Sequence, residues 1–289
     1  MPAFEELRFP SADKRLLLYA RLYPGNGPAI LMMHGLTRNS ADYEALANHL
    51  AGRFTLVVPD QRGRGLSEHD PDPTNYLPAI YSADMLGLID QLGLERPILI
   101  GTSMGGLMAM MMAAMRAGGF RGLVLNDVGP VVQKAGLDRI ASYVGAVQCI
   151  GNWEDAAEYC RRTNRHAFPG YGDAQWLAVA RRLFRSNSDG VPELAYDPAI
   201  AAGLASSNSS ADSPDLWPLW QGLANVPVLA LRGALSDILS EDTLSRMARH
   251  HPGMRSVTVA GVGHAPMLDE PEALLAIDRF LDQLADTIT

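Results

Sequence analysis

The 289-residue chain reads as an α/β domain built on a mostly parallel, eight-stranded sheet with helices on both faces. Three observations predict this. Short continuous apolar runs recur, each followed by a helix-length segment, which is the pattern of strands buried on both faces. The alternation breaks once, between about 131 and 222, and then resumes. Several of the strands run into loops rich in Gly, Pro, Asp or His, and open parallel sheets carry their chemistry in such loops.

Taken in order, Glu5–Phe9 and Leu16–Leu22 predict an antiparallel pair at one edge of the sheet. Pro24 to Pro28 is a turn cluster. Ala29–Met33 is the third strand and ends in His34-Gly35-Leu36-Thr37. A helix is expected over Ser40–Leu50, with Ser40 as its N-cap. Phe54–Val58 is the fourth strand, followed by the glycine-rich Pro59–Ser67 and a helix over Tyr81–Leu92. The fifth strand, residues 97–100, leads through Gly101-Thr102-Ser103-Met104-Gly105 into a helix over 107–117, stopped by Gly118-Gly119. Leu123–Asn126 is the sixth strand and runs into Asp127.

From 131 to 222 no convincing buried strand is found; helix-like pieces near 136–150, 154–166, 174–185 and 216–224 are separated by Pro, Gly, Ser and Asn. Ser206–Ser210 is the most loop-like stretch. The alternation resumes with Val226–Arg232, a helix near 241–250, the strand Ser256–Ala260 and a helix over Pro271–Leu284. The expected organisation is a core of residues 1–130 and 223–289, with a helical cap, residues 131–222, inserted after the sixth strand.

Composition bounds the function. Hydrophobic residues make up 47% and charged residues 19%, which suffices for a large core. A net charge of −8 and a pI near 5.3 argue against nucleic acid or anionic membranes as partners. No stretch has the length and apolarity of a spanning helix or the pattern of a leader, so a cytoplasmic location is expected. Cys149 and Cys160 have no metal-ligand spacing and are expected as buried thiols. No nucleotide-binding glycine pattern is present, and neither a cofactor nor a metal is expected. The methionines between 104 and 115 are expected to pack in the core.

The chemistry centres on Ser103. Gly101-Thr-Ser-Met-Gly105 matches G-x-S-x-G between a strand and a helix, a sharp turn that exposes the serine hydroxyl. The glycines remove Cβ atoms that would clash in that turn. A serine needs a general base, usually a histidine oriented by a carboxylate. Of the seven histidines, His264 lies in the glycine-flanked loop after the last strand, at the same sheet edge as Ser103. His49 and His250-His251 read as solvated, and His34 as a strand-end residue whose backbone matters more than its ring. Two acids stand at strand ends on this edge. Asp237 follows the seventh strand by a short loop and is assigned as the orienting carboxylate. Asp127 fits the same chain order and is read instead as a structural acid ahead of Gly129-Pro130. Asp60 reads as a turn builder holding Arg62 or backbone N–H groups. The expected oxyanion donors are the N–H groups of Met104 and Leu36.

Five segments in this order resemble the α/β-hydrolase superfamily: His34-Gly-Leu36, Pro59–Ser67, Gly101–Gly106, Arg232–Asp237 and Gly261–His264. Within it the chain is similar to bacterial carboxylesterases, enol-lactonases and meta-cleavage-product hydrolases that carry a helical cap. The resemblance implies a serine hydrolase acting on a small or medium carboxylic ester or lactone, with the cap setting the substrate. The alternatives are a carbon–carbon bond hydrolase of a keto acid and a non-catalytic ligand receptor on the same fold. Ala265-Pro266 after His264 departs from the tryptophan common in the carbon–carbon bond hydrolases. Oligomeric state has no signature in the sequence.

Overall fold

The computed structural model describes residues 3–146, 150–203 and 215–286. Its centre is an eight-stranded sheet of β1 (Glu5–Pro10), β2 (Leu17–Tyr23), β3 (Ala29–Met33), β4 (Thr55–Asp60), β5 (Ile98–Thr102), β6 (Leu123–Asn126), β9 (Val228–Gly233) and β10 (Met254–Val259). The spatial order is β1-β2-β4-β3-β5-β6-β9-β10. Strand β2 pairs antiparallel with β1 and β4, and every other pairing is parallel. The apolar runs explain the middle of the sheet. Strands β6 and β9 are buried along their whole length, as strands covered on both faces must be.

The core helices are α1 (Glu44–Leu50), α2 (Pro78–Gln91), α3 (Met104–Met115), α8 (Glu241–His250) and α9 (Pro271–Asp286). Helix α3 begins directly after Ser103, not at residue 107, because a tertiary constraint overrides helix propensity. A Cβ at Gly105 would lie 1.9 Å from the Met33 carbonyl oxygen, and one at Gly106 would lie 2.4 Å from Val128 Cγ1. Only glycine lets the first turn of α3 press this closely against β3 and the loop after β6. Met104, Met108, Met110 and Met112 are buried, which fits the core-packing expectation, whereas Met115 is exposed. Ahead of α1, the N-cap is Asn39 and not Ser40: its side chain accepts from the Ala41 N–H at 3.0 Å and opens a 3₁₀ turn over Ser40–Tyr43.

The stretch from 131 to 222 carries α4 (Lys134–Ala141), α5 (Trp153–Asn164), α6 (Asp173–Leu183) and α7 (Trp217–Gln221). It also carries a hairpin the sequence did not reveal, β7 (Phe184–Ser186) with β8 (Pro192–Leu194). Those three-residue strands are largely exposed, so they lack the apolar run by which buried strands are recognised. Helices α5 and α6 pack together, and Phe168, Tyr171 and Trp176 form an aromatic cluster beside them. Cys160 is a buried free thiol; Cys149 and Ser206–Ser210 lie outside the described residues.

Candidate active site

Strands β3, β5, β6, β9 and β10 deliver their C-terminal loops to one edge of the sheet. Strand order reverses between β3 and β5, the crevice where open α/β sheets bind ligands. Ser103 stands there, with φ 53° and ψ −115°. This backbone conformation, rare for a non-glycine residue, costs of the order of 1–3 kcal/mol and is held by its surroundings. The Ser103 N–H donates to the Asn126 carbonyl at 2.9 Å. A Cβ at Gly101 would meet Gly105 at 2.3 Å, so the glycines are required by close backbone approach.

His264 Nε2 lies 2.9 Å from Ser103 Oγ, and its Nδ1 lies 2.8 Å from Asp127 Oδ2. A carboxylate oxygen accepts, so Nδ1 carries the proton and Nε2 is free to accept from the serine hydroxyl. Asp127 is fully buried and takes two further donors, the Gly233 N–H at 2.9 Å and the Ser236 hydroxyl at 2.6 Å. The expectation that Asp237 orients His264 is therefore corrected. Both Asp237 oxygens are held by Arg139 of α4, at 2.6 and 2.8 Å. Burial pushes the Asp237 carboxyl up, but the Arg139 guanidinium outweighs it and holds the group below the usual carboxylate range. The sequence carried one usable signal. Asp127 directly ends β6 with no intervening loop, at a left-handed φ of 57°, a setting where aspartate is favoured over most residues. Ser236, which fixes Asp127, had no signature of its own.

The loop after β3, where an oxyanion donor is expected, is built by packing. His34 is buried between the Gly35 carbonyl, to which Nδ1 donates at 2.7 Å, and the Gln61 N–H, from which Nε2 accepts at 3.1 Å. Burial pushes its imidazole down to about 3, so the ring is neutral and acts as a fixed spacer. Its ring thus matters as much as its backbone. Leu36 borders the cavity, and its carbonyl accepts from Arg64 Nε at 2.9 Å. Among the described residues no acceptor pairs with the N–H of Leu36 or of Met104, the first residue of α3.

The other histidines lie elsewhere. His49 pairs with Asp278 at 2.8 Å on the surface. His251 is buried, not solvated, with Nε2 on the Leu223 and Val226 carbonyls. Asp60 accepts from the Ser40 and Leu66 N–H groups, as a turn builder does, while Arg62 turns instead to Asp70 and Asp84.

A cavity of about 110 Å³ opens over Ser103 and His264. Its lower wall comes from the β3 and β10 loops, and its upper wall from 131–222, with Ile140, Tyr143, Phe168 and Trp176 among the contributors. The segment is bound to the His264 loop directly, since the Gly263 N–H donates to the Ala167 carbonyl at 2.7 Å. Among the described residues there is no group of three or more His, Cys, Asp or Glu that could hold a metal ion. No helix there is long and apolar enough to cross a membrane.

Comparison with known proteins agrees with this fold. The chain is 33% identical over 262 residues to a 3-hydroxybutyrate-oligomer hydrolase of Cupriavidus necator, covering 89% of each chain. It is 32% identical over 262 residues to a 2-(acetamidomethylene)succinate hydrolase of Mesorhizobium japonicum, again covering 89% of each. A crystal structure of an alpha/beta hydrolase from Novosphingobium aromaticivorans superposes with a TM-score of 0.92 at 41% identity, over 98% of this chain and 99% of that one. The profile of the alpha/beta hydrolase family matches residues 30–277. With sheet order, Ser103 turn and relatives in agreement, the chain belongs to the alpha/beta hydrolase family.

Proposed function

We propose that the protein is a serine hydrolase that cleaves a small or medium carboxylic ester or lactone through an acyl-enzyme. The observation that carries this reading is the relay from Ser103 Oγ to His264 Nε2, and from His264 Nδ1 to Asp127. Ser103 Oγ attacks the carbonyl carbon as its proton passes to His264 Nε2. The tetrahedral oxyanion sits against the Leu36 and Met104 N–H groups. Collapse expels the alcohol oxygen, which takes the proton from His264. Water then gives a proton to His264 and attacks the acyl carbon. The acid leaves, and the proton returns to Ser103. Asp127 keeps Nδ1–H toward itself and supports the imidazolium formed at each step. No step calls on a metal or an organic cofactor.

The relatives that hydrolyse a 3-hydroxybutyrate oligomer and 2-(acetamidomethylene)succinate support a small acyl substrate. In this reading residues 131–222 are the cap that closes the cavity, and residues 1–130 with 223–289 are the catalytic core. The test is hydrolysis of p-nitrophenyl esters of increasing acyl length by the wild type and by Ser103→Ala. The expected result is wild-type turnover with a short-chain optimum, and a loss of about 10³- to 10⁶-fold in the variant. Undiminished turnover in Ser103→Ala would overturn the assignment.

A further inference from the structure

We propose that the cavity selects esters carrying a second, unesterified carboxylate, and that Arg38 is the group that holds it. This rests on the serine hydrolase reading and names its substrate class. Arg38 and Asp42 are the formally charged side chains among the residues lining the cavity. Asp42 takes Arg38 Nε and Nη2, each at 2.6 Å. A guanidinium has five N–H donors in a planar fork, so two are used and the end-on edge, Nη1 with the second N–H of Nη2, is left. Among the described residues Arg38 Nη1 donates no hydrogen bond.

A second cation stands behind the pair. Arg182 of α6 brings Nε to 3.8 Å from Asp42 Oδ1, and that buried nitrogen has no hydrogen-bond partner. Two guanidiniums thus share one carboxylate, and the cluster carries a net positive charge with all three side chains about one-fifth exposed. The other ion pair beside the site, Arg139 with Asp237, is self-compensated. Unmatched cationic donors shielded from bulk water are costly until an anion completes them, and a carboxylate fits the end-on fork with two parallel bonds.

The position suits a substrate group. The Arg38 N–H donates to the Gly35 carbonyl at 3.1 Å, which ties the residue to the oxyanion loop. A Cβ added at Gly35 would lie 3.6 Å from Arg38 Cγ and 3.8 Å from Ser103 Cβ, so the arginine stem and the nucleophile flank the same glycine. Ile140, Phe168, Trp176, Val179 and Leu183 give the remaining wall an apolar surface for a short hydrocarbon spacer. The substrate class is therefore a half-ester or similar ester acid, with a few carbons between the scissile carbonyl and the free carboxylate.

The test compares monomethyl and dimethyl esters of succinic, glutaric and adipic acid with wild type, Arg38→Gln and Arg38→Lys, following acid release by titration. For at least one spacer length, the wild type is expected to favour the monoester in kcat/KM by about 10- to 100-fold, the scale of a charge-assisted hydrogen bond. In Arg38→Gln the ratio should collapse toward unity, and in Arg38→Lys it should be partly kept. As a readout independent of turnover, the free diacids are titrated calorimetrically into Ser103→Ala, with and without Arg38→Gln. Binding that depends on Arg38 supports the site. Equal use of mono- and diesters with no diacid binding, or a monoester preference that survives Arg38→Gln, overturns it. Failure to cleave any ester, p-nitrophenyl esters included, counts against the hydrolase reading, and the calorimetry then decides the carboxylate site by itself.

Discussion

Asp127 and Asp237 show how finely the site is decided at the level of single residues. Both follow strands that open on the same edge, yet only Asp127 meets His264, because Ser236 and the Gly233 N–H hold it there while Arg139 draws Asp237 away. Asp127→Asn should therefore lower kcat by about 10³- to 10⁴-fold, since the amide would favour the wrong imidazole tautomer. Asp237→Asn should stay within about tenfold of wild type; steady-state kinetics of the two variants side by side check both, and a larger loss in Asp237→Asn would refute the assignment. Ser103 and His264 were legible in the sequence because each sits in a glycine-flanked loop whose chemistry admits few readings. The carboxylate was not, because the choice between two acids is made by Arg139, 98 residues from Asp237 along the chain.

At the level of elements, the β3 loop shows a buried group acting on stability. His34 is neutral in the fold with its imidazole near 3, against an ordinary value of 6.5. Below 6.5 the unfolded chain binds a proton that the folded chain refuses, so this contribution is intact above 6.5 and is lost as pH falls toward 3. Denaturant melts from pH 7 to pH 4 should show declining stability. In His34→Gln, less stable at pH 7, the slope should be shallower by close to one proton, about 1.4 kcal/mol per pH unit. An unchanged slope would refute this account of His34. Helix α3 teaches the complementary lesson. Helix formers begin at residue 107, three residues after the helix itself does, because Gly105 and Gly106 disfavour helix locally while their real constraint is close packing on neighbouring segments.

Across the whole molecule, the eight-stranded sheet was legible because buried parallel strands write continuous apolar runs; the small hairpin β7–β8 escaped because its strands face solvent. Among the contacts that join the segment 131–222 to this edge of the sheet are the ion pair of Arg139 with Asp237 and the bond from the Gly263 N–H to the Ala167 carbonyl. Arg139→Ala should loosen the first. The expected signature is a raised KM with kcat changed less than about tenfold, together with faster proteolytic nicking between 131 and 222. Unaltered KM and nicking would show that the ion pair does not hold the segment down.

The bond from Gly263 to Ala167 also bears on what an exchange of the segment 131–222 would require. A relative that exchanged its inserted segment wholesale would discard the acceptor that steadies the residue just before His264. A transplanted segment therefore has to present a carbonyl at that spot again, or the Gly263 N–H beside His264 is left without its acceptor.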